Sequence, residues 1–215
     1  PRVRRQRQMC IRDSLKIIQN EKGFCFGIDS ILISDFAREI KQNSIGVDLG
    51  TGTGIISILL ASKTKLSKII GVEIQKDIAD MAKRSVELNS LQEKIEIKNL
   101  NVKEIAEKAL LEREKFDFIV TNPPYKKLNT GKTNENEYKF ISRHEVTANL
   151  EDFIKTSKYL LKDKGSMYIV HRPDRLVDII DLMRKYKIEP KKMRFVHSTI
   201  ESEPTLVLIK GIKNA

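Results

Sequence analysis

The sequence predicts an α/β fold, a doubly wound and mostly parallel sheet of seven strands that ends in an antiparallel hairpin. Short β-branched runs alternate with amphipathic helical segments along most of the chain. The glycine-rich segment 50–54 joins a predicted strand to a predicted helix. Asn122-Pro123-Pro124-Tyr125 directly follows another predicted strand. Open α/β sheets keep their sites at the carboxyl ends of strands, so both segments are candidates for function.

The predicted elements follow from local patterns. Strands of the main sheet are expected at 45–49, 68–74, 94–98, 116–121, 166–170, 193–197 and 205–209, and a separate short strand at 15–19. Helices are expected at 29–40, 55–61, 77–89, 102–114, 150–161 and from 171 to 183. Asp29 is predicted to be the N-cap of the first helix, with Ile31, Leu32, Phe36 and Ile40 on its buried face.

The composition indicates one domain with a hydrophobic core. The chain has 215 residues, 40% of them apolar and 32% charged. No apolar run approaches the roughly 20 residues that span a bilayer, so we expect no membrane partner. Cys10 and Cys25 are too few for a disulfide framework and lack metal-ligand spacing, which favours the reducing cytoplasm. The net charge of +11 favours a polyanionic partner, although a basic protein without one is the alternative.

Residues 1–13 are expected to form a disordered or non-native leader, followed by a single domain over 14–215. This segment lacks hydrophobic periodicity and contains five Arg and one Asp, so it supplies +4 of the net charge of +11. An RNA-binding arm is the alternative. The rest of the chain is still basic, so the argument for a polyanionic partner persists in weaker form.

The glycine segment predicts a ligand-binding turn. Gly50, Gly52 and Gly54 let the backbone approach a ligand closely, but dinucleotide and nucleotide sites use similar turns. Asp48 precedes these glycines. A carboxylate there would repel a pyrophosphate and suits a ligand that presents ammonium and hydroxyl groups, which disfavours a nicotinamide dehydrogenase.

Three residues near the ends of the predicted strands 68–74 and 94–98 complete the candidate ligand site. Glu73 ends a strand about 20 residues beyond the glycine turn, where a carboxylate accepts from the two hydroxyls of a ribose. A solvated acid at a strand end is the alternative. Ile74 is placed to pack on an adenine face, and Asn101 opens the loop where the base would need a polar partner.

The Asn-Pro-Pro-Tyr segment suits transfer of a group to an aromatic amine. Such an amine is a poor nucleophile because its lone pair is delocalised into the ring. The Asn122 side-chain oxygen and the Pro123 carbonyl can accept its two hydrogens and oppose the positive charge that builds on nitrogen. Tyr125 can stack on the target ring. A strand-ending turn without function is the alternative.

These segments resemble a known family. Residues 47–54, Glu73 and 122–125 look like the motifs of class I S-adenosylmethionine-dependent methyltransferases that modify amino groups. Over about residues 15–212, the chain is similar to the bacterial tRNA1(Val) adenine-37 N6-methyltransferases. That closer similarity lies in Phe26-Gly27-Ile28-Asp29-Ser30, Arg143-His144-Glu145, His171-Arg172-Pro173, Phe195-Val196-His197 and Glu203-Pro204.

The resemblance implies a Rossmann-like class I methyltransferase fold, S-adenosylmethionine as cofactor and tRNA as partner. It assigns Asp48, Gly50 and Gly52 to the methionine part of the cofactor and Glu73 to its ribose, with Phe26 and Asp29 on the rim. The family's third strand usually ends Gly-Asp, where this chain has Leu100-Asn101. Asn101 can accept from the adenine amino group but adds no charge, so weaker cofactor binding is expected.

The RNA surface and the oligomeric state, monomer or homodimer, are less constrained. Basic residues that could contact phosphates are Lys126, Lys127, Arg143, Arg172, Lys191, Lys192 and Arg194. A merely solvated basic face is an equal alternative. The three histidines are scattered and more typical of structural roles, so no metal is predicted.

Two other functions share these motifs. Asn-Pro-Pro-Tyr also serves methyltransferases acting on DNA adenine or on protein glutamine. We expect neither the inserted target-recognition domain of the DNA enzymes nor the preceding helical domain of the protein enzymes, which favours an accessible RNA loop. A non-catalytic RNA-binding relative is the remaining alternative, and the intact Asn122 and glycine turn argue against it.

Overall fold

The computed structural model describes the backbone of residues 6–11, and residues 15–20, 26–125 and 148–215 in full. The strands in these ranges are β1 Gln6–Ile11, β2 Leu15–Asn20, β3 Ile45–Leu49, β4 Lys68–Glu73, β5 Ile95–Asn99, β6 Phe116–Thr121, β7 Leu161–His171, β8 Ile188–His197 and β9 Pro204–Lys213. The helices are α1 Ile28–Phe36, α2 Ile55–Lys63, α3 Lys76–Leu88, α4 Val102–Glu107, α5 Leu150–Leu160 and α6 Leu176–Lys185, with a 3-10 turn at Pro173–Arg175.

Seven strands form one mixed sheet in the order β5-β4-β3-β6-β7-β9-β8. The first five strands in this order are parallel, whereas β9 is antiparallel to both β7 and β8. The predicted seven-stranded sheet with a C-terminal hairpin is therefore confirmed. The chain reverses its direction of winding between β3 and β6, and ligands bind at such switch points in open α/β sheets.

Hydrophobic side chains fill both faces of the sheet. On one face, α1, α2 and α3 contribute residues such as Ile33, Leu59 and Ala82 to the core, and on the other α4, α5 and α6 contribute Ile105 and Ile154, among others. None of the helices that the structure describes is both long and apolar enough to span a bilayer.

Gly46 lets β3 and β6 pack closely. A Cβ atom at this position would lie 2.2 Å from the Phe118 ring, so only a glycine leaves room for that buried ring. The register pairs Leu49 of β3 with Thr121 of β6. The glycine turn and the Asn-Pro-Pro-Tyr segment therefore leave adjacent strands at the same level.

β1 and β2 form a separate two-stranded antiparallel sheet. β1 lies within residues 1–13, for which the sequence predicted no regular structure. β2 is anchored on α3, because the Ile18 amide donates to Ser85 Oγ at 3.0 Å and the Asn89 side chain bonds both the amide and the carbonyl of Lys16.

Several predicted element details are wrong. Gly27 is the N-cap of α1, and Asp29 lies in the first turn of that helix. Ile33 is buried, whereas Ile31 is 38% exposed. The charged helix predicted to reach Glu114 ends at Glu107, and the chain beyond it has a left-handed residue at Ala109 (φ 48°), which a continuing α-helix does not accommodate.

The C-terminal elements also differ from the prediction. His171 is the last residue of β7 rather than the start of a helix, and the helix begins five residues later, at Leu176. The two hairpin strands, predicted with five residues each, have ten residues each. The pairing of β9 with β7 on one side and with β8 on the other extends them.

Candidate active site

Hydrogen bonds to a buried carboxylate hold the loop between β3 and α2 in place. Asp48 has no exposed surface. Its Oδ2 accepts hydrogen bonds from Thr51 Oγ1 at 2.6 Å and from Ser57 Oγ at 2.8 Å. These bonds connect the end of β3 to the loop and to the first turn of α2, so Asp48 determines the shape of the loop.

Burial raises the pKa of Asp48 to about 6, although the hydrogen bonds from Thr51 and Ser57 favour the ionised form. Its second oxygen, Oδ1, is buried and has no hydrogen-bond partner within the described part of the chain. The sequence placed this carboxylate against a ligand. The structure buries it completely and bonds its Oδ2 to the loop and to α2.

The open side of the loop is at Gly52. Its φ of 57° lies in the left-handed region that favours glycine, and a Cβ atom there would meet no described heavy atom within 4 Å. The Gly52 amide donates to Glu73 Oε2 at 3.1 Å, and the Gln75 amide donates to Glu73 Oε1 at 2.8 Å. Glu73 is thus held beside a loop whose Gly52 position no described heavy atom approaches.

The ends of β4 and β5 supply the neighbouring surface. Ile74 follows Glu73 and is 38% exposed, as the predicted contact with an adenine face requires. Asn101 is the N-cap of α4, where its Oδ1 accepts from the Lys103 amide at 3.1 Å. Asn99, which the sequence did not single out, donates from Nδ2 to the carbonyls of Glu73 and Ile74 at 2.8 Å and so fixes the end of β4.

The Asn-Pro-Pro-Tyr segment is joined to α1 through one carboxylate oxygen. Asp29 Oδ2 accepts from Asn122 Nδ2 at 3.0 Å and from the Tyr125 hydroxyl at 2.8 Å. Pro123, which lies between these two donors in the sequence, is buried. Phe26, before α1, is half-buried and packs against the core. The structure therefore brings Asp29 to the catalytic candidates, a pairing that sequence reasoning missed.

Tyr125 lies against the end of β7. Its ring centroid is 4.9 Å from that of His171, with an angle of 56° between the planes, and the Arg172 guanidinium is 5.9 Å from the Tyr125 ring. Burial, together with the charge of Asp29, raises the pKa of the Tyr125 hydroxyl, which stays protonated. Tyr125 is therefore a hydrogen-bond donor whose half-buried ring lies beside His171 and Arg172.

His171 is buried and neutral. Burial and the nearby charge of Arg175 lower its pKa to about 4. Its Nδ1 accepts from the Arg172 amide at 2.8 Å, which leaves the proton on Nε2. The Nε2 atom is buried and has no hydrogen-bond partner among the described residues. No cluster of three potential metal-ligating side chains occurs in the described ranges.

The predicted RNA contacts are dispersed. Lys126, Lys127 and Arg143 lie outside the described residues. Lys192 pairs with Glu39 at 3.1 Å and Arg194 pairs with Asp35 at 3.7 Å. These two side chains are thus bound to α1 and the turn after it, whereas Lys191 is exposed on β8 and Arg172 lies beside Tyr125.

The doubly wound sheet, the glycine turn and the paired strand ends define a Rossmann-like fold, and the match to a methyltransferase family model makes the chain a Rossmann-like methyltransferase. A crystal structure of a predicted O-methyltransferase from Agrobacterium tumefaciens has the same fold, with a TM-score of 0.70, 21% identity and coverage of 87% of this chain and 81% of that one. A sequence model of the methyltransferase small domain family matches residues 27–188. The chain belongs to this family.

Curated relatives carry names that specify a substrate, which the name of the family does not. A tRNA1(Val) (adenine(37)-N6)-methyltransferase from Porphyromonas gingivalis is 28% identical over 85% of this chain and 72% of its own length. One from Parabacteroides distasonis is 26% identical over 86% of this chain and 75% of its own length.

Proposed function

We propose that this protein transfers a methyl group from S-adenosylmethionine to the N6 amino group of adenine-37 in tRNA1(Val). The observation that carries the proposal is the position of Asn122, which directly follows β6. β6 neighbours β3, and the paired residues Leu49 and Thr121 bring the ends of the two strands to the same level. The names of the curated relatives support the substrate. We further propose that it acts in the cytoplasm as a monomer or homodimer.

The loop and the two strand ends fit the proposed cofactor. S-adenosylmethionine supplies an electrophilic methyl group when bound. Glu73, already oriented by the Gly52 and Gln75 amides, can accept from ribose hydroxyls, and Ile74 offers an apolar surface to the base. Asp48 contributes by fixing the loop, and its carboxylate adds negative charge behind a site for a cationic ligand. Gly50, Asn101 and Phe26 complete the proposed set, and Asp29 lies on its rim with its carboxylate bonded to Asn122 and Tyr125.

Asn122 and Pro123 would act on the target amine. With Nδ2 donating to Asp29, the Asn122 Oδ1 is available as an acceptor. This oxygen and the Pro123 carbonyl can accept the two hydrogens of N6, which favours a pyramidal nitrogen and stabilises its developing positive charge. Removing one such hydrogen bond in other enzymes costs roughly 3–4 kcal/mol in barrier. Water can take the proton from the methylated amine, so no further base is needed.

Tyr125 and Arg172 would contact the nucleotide. A base stacked on an aromatic side chain gains about 1–3 kcal/mol, and the Arg172 guanidinium beside the ring can pair with a phosphate. The target base must leave its stack to enter, which costs less in an RNA loop than in a duplex. Lys126, Lys127, Arg143 and Lys191 remain proposed phosphate contacts. Lys192 and Arg194 would have to exchange their acidic partners, Glu39 and Asp35, for phosphates.

A comparison of acceptors tests the proposal. Labelled methyl transfer from S-adenosylmethionine would be measured with unmodified total tRNA, with DNA and with protein extract as separate substrates. We expect label in tRNA. Label in DNA or protein alone would support methyltransferase activity but refute tRNA as the substrate. Cofactor binding without transfer to any of the three would indicate a non-catalytic relative.

A further inference from the structure

We infer that Asp29 is a positioning residue that sets the orientation of the Asn122 side-chain amide. This inference rests on the proposed function, because it concerns the acceptor that Asn122 would present to the target amine. The observation behind it is that one oxygen, Asp29 Oδ2, accepts hydrogen bonds from both Asn122 Nδ2 at 3.0 Å and the Tyr125 hydroxyl at 2.8 Å.

The chemistry of an amide makes its orientation important. One end of the Asn122 amide donates and the other accepts, and a rotation by half a turn exchanges them. A carboxylate oxygen only accepts, so Asp29 selects the orientation in which Nδ2 faces it. The Oδ1 atom is then directed away from Asp29. In the opposite orientation two acceptors would face each other, and the target amine would meet a donor that repels its hydrogens.

Asp29 is itself held in place. Its other oxygen, Oδ1, accepts from the Ser30 amide at 2.9 Å in the first turn of α1. Among the described residues the carboxylate has three donors, and it connects the first and last residues of the Asn-Pro-Pro-Tyr segment to a helix packed in the core. Because the Tyr125 hydroxyl is protonated and bound to the same oxygen, Asp29 fixes the stacking ring together with the acceptor.

Substitutions at position 29 separate this role from cofactor binding. In Asp29→Ala, we expect kcat for methyl transfer to tRNA to fall by about 10- to 100-fold, since small misplacements of catalytic groups cost up to this much. The Kd for S-adenosylmethionine should stay within about 3-fold. The matched control is Asp80→Ala. The Asp80 carboxylate is exposed, and in the described helices its ion-pair partner is Arg84. A large loss of cofactor affinity with unchanged kcat would show a cofactor contact instead and overturn the inference.

An exchange of the two side chains gives the sharper test. Asn122→Asp alone places two carboxylates against each other and should have low activity. Adding Asp29→Asn restores a donor to this contact, while the carboxylate at 122 presents an acceptor oxygen in either orientation. We expect the double variant to exceed the Asn122→Asp variant in kcat by about 10-fold. A double variant no better than that single variant would contradict the inference.

A measurement without substrate distinguishes a failure of the inference from a failure of the proposed function. In protein labelled with ¹⁵N at asparagine, the side-chain amide signal of Asn122 is identified by its loss in Asn122→Ala. We expect Asp29→Ala to shift this signal and to speed its hydrogen exchange. An unchanged signal would refute the contact, whatever substrate the wild type methylates. Absence of transfer to tRNA by the wild type, with a shifted signal, would refute the proposed substrate alone.

Discussion

The Gly52 amide donates a hydrogen bond to Glu73 Oε2 at 3.1 Å, which joins the loop after β3 to the carboxylate that ends β4. Two segments on neighbouring strands thus form one side of a single site. The Gln75 amide holds the other oxygen of Glu73, so the carboxylate is oriented before a ligand arrives. Preorganisation of this kind lowers the entropy cost of binding.

Glu73→Gln should weaken cofactor binding. Glutamine keeps the size of the side chain but has one acceptor oxygen in place of two and no charge. Because a hydrogen bond to a charged group contributes about 1.5–3 kcal/mol, we expect the Kd for S-adenosylmethionine to rise at least about 10-fold in calorimetric titration. The control is Glu96→Gln on β5, whose carboxylate is exposed and pairs with Lys68 and Lys98. Equal affinities in both variants would remove Glu73 from the site.

Gly52→Ala should impair binding more than folding. The left-handed φ of 57° costs an alanine about 1 kcal/mol, and no described atom opposes its methyl group. That methyl group would instead occupy the space proposed for the cofactor. We expect a small change in the free energy of unfolding and a loss of cofactor affinity of more than 10-fold, which corresponds to more than about 1.4 kcal/mol in binding free energy.

Gly46→Ala is the contrasting variant, because its methyl group would overlap the Phe118 ring in the core. It should lower the melting temperature strongly. If Gly52→Ala instead resembled Gly46→Ala in stability and bound the cofactor normally once folded, the assignment of the open space would be wrong.

The stability effect of Asp48→Asn should depend on pH. The pKa of Asp48 is raised to about 6 in the folded state from 3.8, so between these values the unfolded state loses its proton first. Wild-type stability therefore falls as pH rises through this window, by roughly 3 kcal/mol at 1.36 kcal/mol per pKa unit. An asparagine side chain at this position keeps an oxygen for Thr51 and Ser57 but has no proton to lose.

Unfolding by urea at pH 4 and at pH 7 measures this difference. Relative to wild type, the variant should gain roughly 2 kcal/mol in unfolding free energy between the two pH values, because Asp48 is already partly ionised in the unfolded state at pH 4. His171, whose lowered pKa of about 4 gives the opposite slope over about pH 4–6.5, is common to both proteins and cancels. A difference between the proteins that is constant with pH would show that Asp48 ionises normally.

Removal of residues 1–13 should change stability little. β1 pairs with β2 in its separate sheet, and β2 is held independently by Ser85 and Asn89 of the segment that includes α3. We expect the melting temperature to fall by less than about 4 °C, which corresponds to about 1 kcal/mol for a chain of this size. A drop several times larger would make β1 part of the folded domain.

Local patterns were sufficient for most of the sheet. β6 coincides with its predicted residues because two prolines follow it. β3 and β4 are short, mostly apolar segments that are buried along nearly their whole length, as is typical of parallel strands. The hairpin strands were predicted too short, since Pro190 and Gly211 weaken a strand pattern, although tertiary pairing carries the strands past both residues.

The site was predictable as a set of strand ends but not as a set of contacts. The hydrogen bonds from Asn122 and Tyr125 to Asp29 span more than 90 residues of chain, which no local pattern reveals. A polar residue near a helix start favours capping on average, and here Asp29 faces the neighbouring strand end instead. The complete burial of Asp48 and its bonds to Thr51 and Ser57 were likewise not predicted, because sequence does not distinguish a buried strand-end carboxylate from an exposed one.

The most direct test of the account is nucleoside analysis of tRNA1(Val), made without modifications and incubated with S-adenosylmethionine and either wild type or Asn122→Ala. The account predicts N6-methyladenosine at position 37 with the wild type. It predicts turnover reduced by at least about 100-fold with the variant, whose cofactor Kd stays within a few-fold. A methyl group on another atom, or full activity of Asn122→Ala, would contradict it.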